Sequence, residues 1–402
     1  MTIESTLTDE QLRAEVRAWL DANWDAALKR AQDDQAASGK AWLGKVFEAR
    51  WAVPRWPVAW YGRGLGNDQA KIIEQEFARV AALGTGQDRS NLAANTLLTF
   101  GQEALKRELL PKLLTNTASI CLLYSEPGAG SDLAGLRTRA EREGDRWIIT
   151  GQKVWTSGAM TADYGLLIAR TNWDVPKHQG ISFFFVPMKQ SGITVRPIHQ
   201  ITGDSHFNEV FLDRAVAPQD HLLGDENAGW KVLQTALAYE RLIMGEGAGE
   251  RRQGSMRDNR ANLIQLAREA GRLDDPLIRQ DIARAMAYRQ LNALNMARAK
   301  TALEQSTSAS IMSLGKLAMS RILHEDARVM TAILGAQSLL DGPEHPTAAD
   351  VNYRCFNAYM TSIGGGTDQI QRNIIGERVL GLPREPEFDR DLPFRQSRAV
   401  TG

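Results

Sequence analysis

The hydrophobic period changes twice along this chain, and that change limits the fold more than any other feature. Thr8 is followed by Gln11 at the spacing of a capping box, and Leu12, Val16, Trp19 and Leu20 then fall at i, i+4, i+7 and i+8, one face of a helix. Pro54, Pro57 and the run Gly62-Arg-Gly-Leu-Gly66 mark a loop, and helical patterning resumes from Gln69 to Leu114. Over roughly the next 100 residues the pattern is short, β-branched and aromatic. Trp147-Ile-Ile149, Tyr164 to Ala169, Ile181 to Val186, Ile193 to Pro197 and Asn208 to Leu212 are separated by Gly, Pro or Asp, as strands are. Past Gly229 the helical period returns. Ile278, Ile282, Ala285 and Met286 repeat one face, and long helices are expected from Pro276 to Gln305 and from Ser308 to Leu340. A last helix, Gln369 to Leu380, is closed by Gly381 and Pro383. Helices, then strands, then helices predict an α+β chain: an N-terminal helical domain over 1–118, a small β-domain over 119–226 and a C-terminal helical domain over 227–402.

Charge excludes some partners. The chain carries 48 basic and 48 acidic residues, which gives no argument for nucleic acid or an acidic membrane surface. No apolar run approaches the roughly 20 residues of a membrane span. The start, Met1-Thr-Ile-Glu-Ser5, lacks a basic and then apolar signal segment, and the only cysteines, Cys121 and Cys355, form no metal or disulfide spacing. A cytoplasmic location is the expectation. The six histidines show no ligand spacing, so no metal is expected.

Four segments carry chemistry. In Tyr124-Ser-Glu-Pro-Gly-Ala-Gly-Ser-Asp132 the glycines expose backbone N–H groups that suit a phosphate or a flavin edge, though the same glycines also build an ordinary tight turn. In Gly151-Gln-Lys-Val-Trp-Thr-Ser-Gly158 a tryptophan beside two hydroxyls is able to cover an aromatic ring, or to cap the core at a strand end. Glu240 sits in Leu237-Ala-Tyr-Glu-Arg-Leu242, either a base or a solvated helix carboxylate. The run Ile363-Gly-Gly-Gly-Thr367 needs unusual backbone angles before the last helix. Two other signals fail. Ser313-Leu-Gly-Lys316 lacks the companion motifs of a serine nucleophile, and Gly62-x-Gly-x-Gly66 does not follow a strand.

Together these segments resemble the acyl-CoA dehydrogenase family, which desaturates thioesters with FAD. The likeness runs from Thr8 to Arg384. It implies that family's fold, with the C-terminal domain a four-helix bundle. It also implies that Leu122, Tyr124, Ser125, Gly130 and Ser131 approach the flavin, with Ser131 also near the CoA. Trp155 would shield the ring, with Thr156 and Ser157 beside it, and Thr367 and Gln369 match positions that touch FAD. In many members the catalytic glutamate lies where this chain has Gly365; isovaleryl-type members place it on an earlier helix, at Glu240 here, followed by an arginine, here Arg241. Glu240 would take the α-proton and the Gly365 N–H would polarise the thioester carbonyl, while Arg241 would hold the base's charge, contact the CoA of the substrate, or be a plain surface charge. An electron-transfer flavoprotein would receive the electrons.

The chain departs from the family where one subunit completes its neighbour's FAD site. No Arg-x-x-Phe-Gly occurs between Arg257 and Arg272, and the glycine loop of relatives reads Leu334-Gly-Ala-Gln-Ser338. That resembles subunits of the α2β2 acyl-CoA dehydrogenases of steroid side-chain breakdown, so a second homologous subunit and a branched or bulky acyl group are expected. A non-catalytic scaffolding subunit and an oxygen-using flavoenzyme are the alternatives.

Overall fold

The computed structural model describes residues 7–25, 37–245, 262–304 and 312–397. They fall into two compact units. The first comprises Met1–Ile198, His206–Ile243 and Phe388–Gly402; the second comprises His199–Ser205 and Met244–Glu387.

The first unit opens with helix α1 (Asp9–Asn23), and its capping box forms: the Gln11 N–H donates to Thr8 Oγ1 at 3.2 Å and the Thr8 N–H to Gln11 Oε1 at 2.9 Å. Leu12, Val16 and Leu20 are buried, as their spacing predicts. Helix α2 (Ala37–Glu48) adds Trp42 and Val46 to the same core. Helix α3 (Asn67–Arg79) is pinned to α1 by Glu76, whose buried carboxylate accepts from Arg13 Nη1 at 2.6 Å, Arg17 Nε at 2.8 Å and Arg79 Nε at 2.9 Å. The hydrogen bond from Arg17, opposed by burial and supported by Arg13 and Arg79, lowers its pKa from 4.5 to about 2. Glu76→Gln is therefore expected to cost about 2 kcal/mol at neutral pH, discounted because the arginines are partly exposed. A depressed carboxylate stabilises above its unfolded value and loses that contribution as pH falls. The gap between variant and wild type in urea denaturation should thus close between about pH 4.5 and about pH 2. A gap constant across that window would refute the assignment.

The single helical stretch expected from Gln69 to Leu114 is broken. Ala81, Gly84 and Gly86 take φ of 56°, 106° and 72°, ending α3 in a left-handed turn. A short turn, Gln87–Ser90, leads to α4 (Leu92–Phe100), capped by Asn91, and then to α5 (Glu103–Leu114).

Eight strands follow in one mixed sheet: β1 (Ile120–Leu123), β2 (Arg139–Glu143), β3 (Arg146–Ser157), β4 (Tyr164–Arg170), β5 (Ile181–Pro187), β6 (Ile193–Pro197), β7 (Phe207–Pro218) and β8 (Leu222–Leu223). The order is β6-β7-β3-β2-β4-β5-β8, with β1 parallel to β4. Strand β5 is buried on both faces, which explains its unbroken apolar run. Phe183 and Phe185 join the helical core, while Phe184 and Val186 join the core on the other side. The sequence reading missed β1, β2 and β8. The first is four residues long and the last two; β2 reads Arg-Ala-Glu-Arg-Glu and buries only Ala140. Helix α6 (Gly229–Gly245) completes this part of the chain.

The second unit contains α7 (Leu263–Glu269), α8 (Pro276–Glu304), α9 (Met312–Leu334), α10 (Pro346–Ile363) and α11 (Asp368–Ile374), the last continued by a π-helical turn, Ile375–Val379. Its core gathers Leu263, Ile278, Ile282, Val329, Ile333 and Val351. Met286, expected on the same buried stripe, is 48% exposed. Helix α10 was not expected; Pro346 in its first turn opens it. Among the described residues no helix is long and apolar enough to cross a membrane, and no group of side chains could hold a metal.

Candidate active site

Two of the motif segments meet in the first unit. The loop after β1 is tied to β3 by a hydrogen bond from the Val154 N–H to the Ser125 carbonyl at 2.9 Å. Beneath it lies an ion pair that the sequence reading passed over. Lys153, fully buried, donates to Glu126 Oε1 at 2.8 Å and to the Tyr124 carbonyl at 3.1 Å. Glu126 also accepts from the backbone N–H groups of Arg137 at 2.6 Å and Thr138 at 2.9 Å. Burial pushes the Glu126 carboxyl up, but the Lys153 charge and these donors outweigh it and hold it below the usual range. Leu122 and Ser125 are half-buried and Tyr124 is buried, 6.0 Å from Phe183 edge to face; Gly130 and Ser131 are exposed.

Strand β3 carries a bulge against β7 between Lys153 and Thr156. Trp155 sits in it at φ 61°, a left-handed conformation costly for a bulky residue, and is 58% exposed. Its neighbour Thr156 is buried, and Oγ1 has no hydrogen-bond partner among the described residues. Ser157 is exposed. Asn208, another residue not singled out from sequence, braces the bulge: its Nδ2 donates to the Thr156 carbonyl at 2.8 Å and the His206 carbonyl at 3.1 Å. A strained, exposed ring beside a buried unpaired hydroxyl is the arrangement of a ligand platform.

Loop 131–136 is held from below by Arg170 at the end of β4. Its buried guanidinium donates to the carbonyls of Ala134 at 2.6 Å, Leu136 at 3.2 Å and Lys177 at 3.1 Å. Burial lowers its pKa to about 10, so it stays charged at neutral pH.

Helix α6 starts against β5. A Cβ on Gly229 would come 2.5 Å from the Ser182 carbonyl carbon, so only glycine allows this approach. The Asn227 N–H donates to Ser182 Oγ at 2.8 Å, and Thr171 Oγ1 bonds both Ser182 Oγ and Asn227 Oδ1 at 2.7 Å. Val232, Leu233 and Ala236 are buried along the helix. The backbones of Glu240 and Arg241 continue it, and their side chains lie outside the described residues.

The glycine loop belongs to the second unit. Gly365 and Gly366 have φ of 65° and 87°. Gln371, buried and unremarked in the sequence reading, donates its Nε2 to the Gly365 carbonyl at 3.2 Å. Thr367 caps α11, accepting from the Ile370 N–H at 3.2 Å, and Gln369 is exposed. Asp368 pairs with Lys316 at 3.1 Å and accepts from Ser320 at 2.7 Å, so the lysine of Ser313-x-x-Lys316 serves the start of α11.

Three family models match in succession: the acyl-CoA dehydrogenase N-terminal domain over residues 6–117, the middle domain over 121–215 and the C-terminal domain over 227–380. The chain belongs to the acyl-CoA dehydrogenase family. It is 36% identical to acyl-CoA dehydrogenase IpdE1 of Mycobacterium tuberculosis over 398 residues, covering 94% of this chain and 98% of that one. Among solved structures it is similar to the Tcur3481-Tcur3483 steroid acyl-CoA dehydrogenase, with 28% identity, a TM-score of 0.69 and coverage of 96% of this chain and 100% of that one. The ChsE4-ChsE5 complex of Mycobacterium tuberculosis matches with 28% identity and a TM-score of 0.66, over 96% of this chain and 100% of that one. The helical, β and helical succession read from the sequence is the arrangement of acyl-CoA dehydrogenases. Membership makes the chain an oxidoreductase and implies a flavin. The exposed Trp155 ring and the unpaired Thr156 hydroxyl fit such a group.

Proposed function

We propose that this chain is the base-bearing subunit of an FAD-dependent acyl-CoA dehydrogenase acting on a branched or bulky acyl thioester of the steroid side-chain class. The observation that carries the reading is the bulge at Trp155 and Thr156, a strained and exposed ring with a buried, unsatisfied hydroxyl beside it. Bound FAD would supply the acceptor for the hydride, two electrons with the β-hydrogen, that leaves the substrate. Leu122, Tyr124, Ser125, Gly130 and Ser131 bind and orient from the loop after β1, with Ser131 also meeting the CoA. Trp155 covers the ring face, and Thr156 and Ser157 offer hydroxyls at its edge. Thr367 and Gln369 are assigned to the cofactor from the start of α11. Glu240 takes the α-proton, with Arg241 assigned to charge near the substrate. The Gly365 N–H offers a hydrogen bond to the thioester carbonyl and stabilises the enolate-like charge that develops as the proton leaves. A cytoplasmic location, an electron-transfer flavoprotein as acceptor, and domain boundaries at 1–118, 119–226 and 227–402 belong to the same reading.

A second, homologous chain is part of this proposal. Phe356, Tyr359 and Ile363 on α10 fall at i, i+3 and i+7 and all are exposed, the latter two at 63% and 64%. Such a stripe suits another subunit, and two similar solved structures are named as pairs of proteins. Their pairing supports α2β2 assembly here, alongside the altered Leu334-Gly-Ala-Gln-Ser338 loop.

One anaerobic titration tests the reading. The chain, purified alone and with a co-expressed homologous subunit, is mixed with acyl-CoA esters while oxidised-flavin absorbance and enoyl-CoA are followed. The complex should carry about half a flavin per polypeptide and be the active form, the chain alone being flavin-poor. Branched or polycyclic esters should exceed octanoyl-CoA in kcat/KM by tens-fold or more, since methyl contacts are worth about 1–3 kcal/mol each. Equal activity on octanoyl-CoA would contradict the bulky-acyl reading. A fully active homotetramer with one FAD per subunit would contradict the assembly.

A further inference from the structure

We propose that residues 393–397 are a strap that positions loop 131–136, acting through Arg170. Arg170 has no carboxylate within salt-bridge reach among the described residues, although it is fully buried. Its charge is met instead by backbone carbonyls of Ala134, Leu136 and Lys177, and by the ring of Phe394, whose centroid lies 3.5 Å from the guanidinium carbon. A guanidinium presents donors in a fixed planar fork, so its placement dictates where those three carbonyls sit. Phe394 closes its open face by cation–π contact and keeps water from competing for the donors.

The strap is itself fastened. The Phe394 N–H donates to the Val175 carbonyl at 2.9 Å and the Arg395 N–H to the Trp173 carbonyl at 3.1 Å. Arg395 Nη2 reaches Asp174 Oδ2 at 2.7 Å, and Ser397 Oγ folds back to the Phe394 carbonyl at 2.8 Å. The effect extends to the loop's outer end, because Lys177, held by its carbonyl, places its Nζ 3.1 Å from both oxygens of Asp132. Asp132 follows Gly130 and Ser131, the residues assigned to flavin and thioester. The strap's functional consequence therefore rests on that assignment. Phe394 is absent from the main clusters of apolar side chains that build the unit, so shortening it leaves those cores intact.

The test uses the full-length chain in its purified assembly, with Phe394→Ala and Phe394→Tyr. Amide hydrogen exchange is read by mass spectrometry, and FAD is titrated back into deflavinated protein. Phe394→Ala should speed exchange across 131–136 at least about tenfold while exchange in β5 holds, since only local opening is made easier. The FAD dissociation constant or the KM for acyl-CoA should rise about fivefold or more, with kcat changed less, because the loop is no longer preorganised. Phe394→Tyr, which keeps the ring over the cation, should restore both. Unchanged exchange in Phe394→Ala overturns the strap. Faster exchange with unaltered FAD affinity and KM overturns its positioning role and leaves a merely structural contact. A wild-type assembly that takes up no FAD sinks the flavin reading instead, and the exchange measurement still decides whether the strap holds the loop.

Discussion

Glu240→Gln is expected to fold, to bind flavin near wild-type levels and to lose at least about 10²-fold in turnover, the lower scale for a missing general base. The amide keeps the shape and hydrogen-bonding reach of the carboxylate and removes only its capacity to accept the α-proton. The helix that carries it does not depend on that side chain for its start. The register of α6 is set at Gly229, where the backbone lies against Ser182, and by the hydrogen-bonded group Thr171, Ser182 and Asn227. Stopped-flow reduction of the flavin by acyl-CoA is the measurement, with melting temperature and flavin absorbance as controls. Reduction within a few-fold of wild type would remove Glu240 from the mechanism. Adding Gly365→Glu to this variant should recover only part of the activity. Position 365 has φ 65°, and a side chain there carries strain on the order of 1–3 kcal/mol.

Lys153→Met should destabilise the β-domain by about 3–5 kcal/mol. The substitution strands Glu126 in the interior with backbone donors alone and frees the Tyr124 carbonyl, so two of the ties between the loop after β1 and β3 go at once. Urea denaturation of Lys153→Met, Glu126→Gln and the double variant forms the cycle that measures the pairing. The double variant should lie closer to wild type than Lys153→Met does, because no buried charge is left unpaired. The sign with pH is specific. Unpaired Glu126 has a folded pKa raised by burial, so Lys153→Met should regain stability relative to wild type as pH falls and the carboxyl takes up a proton. A loss below about 1 kcal/mol in Lys153→Met would show that the pair is dispensable.

The parts of the fold legible in the sequence were those with one apolar face opposite a polar one, or with an unbroken apolar run. On the face of α1, Leu12, Val16 and Leu20 are buried and Trp19 is half-buried against them, and β3, β4, β5 and β7 lie where alternation or unbroken apolar runs put them. What stayed hidden depends on partners distant in sequence. Strand β2 buries one alanine and is a strand because β3 pairs with it along its length. The break after Arg79 is set by left-handed turns that no period records, one of them at an alanine. Around the candidate site, glycine and aromatic motifs could be read locally. The residues that hold them could not: Glu126 and Lys153 sit inside the quoted motifs yet find each other 27 positions apart. Asn208 and Arg170 act on backbone carbonyls, which leave no mark in a sequence. A polar residue at an interior strand position, as Asn208 and Lys153 are, is the one local clue that would have raised them.

The fastening of Phe394 over Arg170 also sets an order of events during synthesis. The two residues are 224 positions apart, the difference between 394 and 170, with the whole of the second unit's long segment, Met244–Glu387, emerging in between. At about 5–20 residues per second, the interval between them is roughly 10–45 s. For that time the first unit holds a charged guanidinium beneath a loop with Trp173 beside it and the closer ring, Phe394, not yet made. The sheet and the N-terminal helices contain their own cores and have the means to collapse early, whereas loop 131–136 reaches its final setting after translation has passed Phe394. A ribosome that stalls, or a protease that cuts, anywhere in the second unit's segment thus leaves a folded β-domain with an unset loop, which is a product distinct from an unfolded chain.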